Sequence, residues 1–297
     1  MLLHANVHFP EQTRELKYPK GSATYAFLLL SKAIPPDVFK VGGPIEERIR
    51  SLARKVLKAP VSDLGLLYGW ETEYLLIQLD LREVAIRRGD PTLLRLKLSG
   101  LRELLEGHHA PGLLIDVASA EIGQLPLQEA QQALAIWRRV EQSFHREPLP
   151  YGPPARDREA MHLKASCRLL HHLILAEEWE EARKVARLAT GKAGRPADTN
   201  GIQALAVLLL AQESLALDPA QTLAALEPLL KRADKTLPLE VAYGNFLAAQ
   251  AHLARGEHAQ AAACIAKAPD LTKGSWDPWG ELLDQRIKRF AETIPSK

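Results

Sequence analysis

Apolar residues recur at intervals of three and four along almost the whole chain, the spacing that gives a helix one buried face. The pattern is broken at regular points. Asp-Pro stands at 90–91, 218–219 and 277–278. There an aspartate can accept the free N–H groups of a first turn, and proline sits where a missing N–H costs nothing. Gly89, Gly107, Gly123, Gly191 and Gly256 fall where helices should stop. The spacing predicts helices over 22–34, 44–59, 71–88, 91–106, 111–123, 126–146, 157–177, 179–190, 200–216, 219–234, 239–255, 257–268 and 278–293.

The start of the chain has a different period. Leu3, Ala5, Val7 and Phe9 alternate with His4, Asn6 and His8, which predicts a short strand or an extended arm. Prolines in "REPLPYGPPARD" (146–157) disfavour helix and mark a linker. Four regions are therefore expected. They are an N-terminal arm (1–21), a helical region (22–146), a proline-rich linker (147–156) and a second helical region (157–297) closed by the helix 278–293. The charged positions Glu281, Asp284, Arg286, Lys288 and Arg289 suit an outer, solvated face of that last helix, with Trp276 and Trp279 as its anchors.

Helices joined by very short breaks should pack as antiparallel hairpins. Two such units can be superposed. In "LAEEWEEARKVARLA" the break at Glu177-Glu178 is followed by Trp179, Ala182 and Ala189. In "LARGEHAQAAACIAKA" the break at Arg255-Gly256 is followed by His258, Ala261 and Ala268. Alanine carries only a methyl, so helices can approach closely at these points. A third hairpin, 200–234, fits between them, with Thr222 and Leu223 where the alanine would stand.

The pattern resembles the helical hairpin of tetratricopeptide repeats (TPR): a turn residue, an aromatic two later, then alanines seven apart. The mean period is about 40 residues against about 34 in that family. The resemblance covers residues 157–268, and more weakly 71–146. It implies an all-α protein, an α-solenoid of stacked hairpins with a concave binding face and a capping helix. Its implied role is a non-enzymatic scaffold: an adaptor, assembly factor or subunit of a larger complex.

Composition and charge narrow the field. With 297 residues, 46% hydrophobic and 25% charged, the chain has a globular composition. A net charge of +2 creates no global field for nucleic acid or an anionic membrane. Two cysteines, Cys167 and Cys264, build no disulfide framework. No leader or membrane-spanning run is expected, which predicts a cytoplasmic, bacterial or otherwise reducing setting.

The charge is nevertheless uneven. Residues 1–60 carry ten Lys/Arg against five Asp/Glu, and Arg82, Arg87, Arg88, Arg95, Lys97 and Arg102 follow closely. Arg87, Arg88, Arg95 and Arg102 are the expected contacts to a partner, an acidic or helical segment of another protein. A nucleic-acid-binding repeat is the alternative for the same basic residues. An all-α enzyme is a second alternative, although no phosphate loop, nucleophile elbow or zinc-protease motif is present. Cys167, His171 and His172 share a helix, but in an apolar run they are expected in the core. His4 and His8 lack a third ligand, and His108-His109 sit at a turn. No cofactor, metal or catalytic residue is expected. Asp80 and Asp116 lie in apolar runs and are expected to face outward or to join a hydrogen-bond network.

Overall fold

A computed structural model describes residues 41–58, 66–108, 111–126, 129–145, 155–192, 196–231, 237–272 and 278–294. The expected arm 1–21, the helix 22–34, His109 and most of the proline-rich linker lie outside these residues. The described residues are all-helical, with no strand among them. The helices are α1 (Pro44–Leu57), α2 (Leu66–Arg87), α3 (Thr92–His108), α4 (Pro111–Ile122), α5 (Ala130–Ser143) and α6 (Ala155–Leu175). They continue as α7 (Trp179–Lys192), α8 (Pro196–Leu215), α9 (Pro219–Leu230), α10 (Pro238–Ala254), α11 (His258–Thr272) and α12 (Pro278–Ala291). Among the described residues no helix is long and apolar enough to cross a membrane.

Most boundaries lie close to those that the spacing predicts, because the punctuation acts as expected. Asp218 Oδ1 accepts from the N–H groups of Ala220 (2.9 Å) and Gln221 (3.2 Å), and Pro219 opens α9. Asp90 accepts from the Thr92 N–H at 2.9 Å and its hydroxyl at 2.6 Å. Residues 155 and 156, expected in the linker, already belong to α6.

The chain forms two compact units, one up to Val117 and one from Ala118, with the division inside α4. In the first unit α1 packs on α2 and α2 on α3. Leu94, Leu98, Leu101 and Leu105 bury one face of α3. Arg50 on α1 donates to Glu46 (2.7 Å) and to Asp80 on α2 (2.6 Å), so Asp80 serves an ion-pair network. The Tyr74 hydroxyl donates to the backbone carbonyl of Asp116 at 3.0 Å.

In the second unit each helix from α5 to α11 packs on its successor, and α6 packs on α8 and α8 on α10 as well. The elbows α6–α7 and α10–α11 are the same structure. Glu177 and Gly256 are left-handed, with φ 61° and 74°. Their N–H groups donate to Ile174 and Leu253, and the next N–H groups reach back to Leu173 and His252, both at 2.9 Å. This paired 5→2 and 6→1 pattern closes a helix C-terminus and turns the chain. Ala182, Ala189, Ala261 and Ala268 are all buried, as close helix approach requires. The intervening elbow differs. Leu217 is not left-handed, and Thr222, also buried, donates its hydroxyl to the Ala211 carbonyl at 3.2 Å. Gly244 on α10 permits a further close approach. A Cβ there would lie 3.2 and 3.3 Å from methyls of Leu230 and Leu229.

Candidate functional site

The second unit holds a cleft of about 460 Å³. Four segments build its wall: the α6–α7 elbow with Glu177 and Trp179, α8 with Gln212, α10 with Tyr243, Phe246 and Gln250, and α12 with Arg286, Arg289 and Phe290. Tyr243 and Phe246 lie one turn apart on α10, with ring centroids 5.9 Å apart. Phe290 meets Phe246 edge to face at 5.5 Å and 82°, which fixes α12 against α10.

Arg286 ties α12 to the end of α6. Its Nη2 donates to the Leu175 carbonyl at 2.6 Å, and its Nη1 lies 3.3 Å from Glu177 Oε1. The Leu175 carbonyl belongs to the last turn of α6, where carbonyls lack helical partners and a cation is favourable. Burial pushes the Tyr243 phenol well above its ordinary value, the Arg286 charge opposes this and Glu177 adds to it. The phenol therefore stays protonated as a donor. Arg289 has no ion-pair partner among the described residues and faces the same cleft.

The wall thus combines aromatic faces, two primary amides and an uncommitted guanidinium. Among the described lining residues, none pairs a nucleophile with a base. The Thr293 hydroxyl donates to the Phe290 carbonyl at 2.7 Å, and Glu177 faces Arg286. Sequence spacing assigns Arg286 and Arg289 to an outer face. Arg289 is exposed as that spacing expects, Arg286 is half-buried, and both line the cleft. No motif marks the site, because its residues converge only when α12 returns to α6. Trp276 and the side chain of Trp279 lie outside the described residues.

The four arginines expected to contact a partner do not share one environment. Arg87 is exposed and pairs with Glu83 at 2.7 Å. Arg88 is exposed and left-handed, with φ 52°. Arg95 is half-buried. Arg102 is only 3% exposed and is bound to Glu106, with Ser99 3.3 Å away, so it is a core residue of α3 and no surface contact.

His171 Nε2 donates to Glu240 Oε1 at 2.8 Å, a buried bridge from α6 to α10. His172 Nδ1 lies 2.9 Å from the Arg168 carbonyl, and its ring is 6.2 Å from that of Trp137. Burial first, then the Glu240 charge, pushes the Cys167 thiol up to about 12, against a weaker opposing pull from Arg168. The expectation of core roles for these three residues fits their surroundings.

Comparisons with known protein families, with curated proteins and with solved structures find no match.

Proposed function

We propose that this protein is a helical-repeat scaffold that holds a segment of a partner protein in the cleft of its second unit. In this reading α6–α7, α8–α9 and α10–α11 are TPR-like hairpins stacked as a short solenoid, and α12 closes one end. The repeated elbow, the buried alanine pairs and the packing of α6, α8 and α10 on one another support it. The first helices of successive hairpins, together with α12, supply most of the cleft wall.

The chemistry of that wall carries the reading. Aromatic faces at Phe246 and Phe290 take an apolar side chain, Gln212 and Gln250 can pair with a peptide backbone, and Arg289 can pair with a carboxylate. The expected partner is an acidic segment with a neighbouring aromatic or aliphatic residue. Arg289, rather than the four arginines before residue 103, then supplies the steering charge.

Selection of peptides from a displayed random library against the full chain tests this. Enriched peptides should share an acidic residue beside an apolar one. Arg289→Glu should weaken them about tenfold or more, as loss of a charge pair does. Absence of enrichment, or equal binding to Arg289→Glu and Gln250→Ala variants, overturns the reading.

A further inference from the structure

A second constellation lies at the other end of this unit, where α5 ends and α6 begins. Glu141 is in the last turn of α5. The turn that follows is tightened: the N–H groups of Phe144 and His145 reach back three residues to Glu141 and Gln142, both at 3.1 Å. This brings the His145 ring over Glu141. From α6, Arg158 Nη2 donates to the Phe144 carbonyl at 2.9 Å and pins the two helix ends together. One turn further along α6, His162 faces the same point.

The ligand atoms converge. Glu141 Oε1 lies 3.1 Å from His145 Nε2 and 2.8 Å from His162 Nε2, and all three groups lie within 4.8 Å of one another. The imidazoles meet edge on, with centroids 5.1 Å apart, so their nitrogens address one volume from two directions. Phe144 stacks on His162 at 5.2 Å and 7°, holding the ring's plane. Glu141 and His162 are mostly buried, whereas His145 is 52% exposed.

We propose that Glu141, His145 and His162 form a binding site for a divalent transition-metal ion of the zinc class. Bonds of about 2.0–2.2 Å in a tetrahedron place neighbouring ligand atoms about 3.3–3.6 Å apart; the two carboxylate–imidazole separations are 3.1 and 2.8 Å, and the imidazole nitrogens lie within 4.8 Å of each other. Two imidazoles and one carboxylate make a donor set that favours such an ion over magnesium or calcium, which take oxygen ligands. Three protein ligands leave a fourth position, on the solvent side beside His145, for water or a donor from another molecule. The ion would join the two ends of the proline-rich connection, since His145 precedes it and His162 follows it. No single helix supplies the site, and sequence reading missed it. The spacing of Glu141 and His145 was legible as one helical turn, but His162 lies beyond the prolines.

The test is zinc titration of the tag-free full chain after chelator treatment, read by calorimetry and by the spectrum of a cobalt-loaded sample. One tight equivalent is expected, with no comparable heat from magnesium or calcium. His145→Ala should weaken zinc by about tenfold or more, as should His162→Gln and Glu141→Gln. A His4→Ala/His8→Ala double variant should bind as the parent does. The half-exposed His145 adds little packing, so its variant stays folded and keeps the test decisive if the buried ligands cannot be replaced. Binding that is unchanged in His145→Ala, absent in the parent, or matched by magnesium overturns the site.

Discussion

Glu177 and Gly256 hold the same left-handed backbone, but only glycine adopts it without a steric penalty. The two positions should therefore respond in opposite senses. Gly256→Ala should cost about 1 kcal/mol, and Glu177→Gly should gain up to about 1 kcal/mol. Urea midpoints that move in the same direction for both variants would contradict the shared elbow. Glu240 offers a second test. Burial works to raise its carboxyl, but the charge and hydrogen bond of His171, helped by Arg168, outweigh this and hold it below its usual range. A carboxyl lowered in the folded state stabilises the fold above its unfolded value, near 4.5, and loses that contribution as the pH falls through its folded value. The stability gap between parent and Glu240→Gln should thus be full at neutral pH and close in acid. A gap that widens as the pH falls would show that the pair does not hold Glu240 ionised. Removing the partner by His171→Ala at neutral pH should cost about 3 kcal/mol, because a buried carboxylate is left behind.

At the scale of helices, the small residues carry the argument. Ala261 is fully buried, and Ala261→Leu should overpack α11 at a cost of about 1–3 kcal/mol in urea unfolding. Thr222 takes the corresponding place in the middle hairpin and donates to the Ala211 carbonyl there, so Thr222→Val should lose a buried hydrogen bond while nearly keeping its volume. α12 depends on Arg286. Arg286→Ala should speed amide exchange throughout α12 while leaving α9 as it was, and unaltered exchange in α12 would exclude the Leu175 contact as its anchor. The elements themselves were legible in the sequence because their signals are local: Asp218 caps within three residues, and Gly256 turns the chain where it stands. The destination of α12 was not. Arg286 reaches a carbonyl 111 residues away, and nothing in "ELLDQRIKRF" distinguishes that from a solvated face.

Across the molecule, burial is uneven. α10 is buried without interruption from Ala242 to Ala249, as a helix packed on several sides must be. Its amides should be the slowest to exchange in the second unit. Faster exchange there than in the more exposed α9 would place the core elsewhere. The expected charge distribution needs a similar revision. Arg50 and Arg102, which look like parts of a basic stretch in the sequence, are folded into carboxylate networks, whereas Arg289 near the C-terminus faces a cleft. A count of lysines and arginines cannot separate these cases, because partners such as Asp80 lie on other helices. The helices of the described residues were readable from periodicity and punctuation; the cleft and the Glu141–His145–His162 cluster required helices to meet.

The two cysteines differ in a way that has a practical use. Thiol chemistry proceeds through the thiolate, and burial within the α6 core leaves Cys167 almost none at neutral pH. Cys264, on α11, is raised by burial too, but Lys267 pulls in the other direction and part of the side chain meets solvent. Maleimide added at neutral pH should couple at Cys264 first, and peptide mapping would reveal any early coupling at Cys167. Because none of the described residues of α11 is in the cleft wall, a dye placed there would leave the wall clear, and no cysteine would have to be engineered.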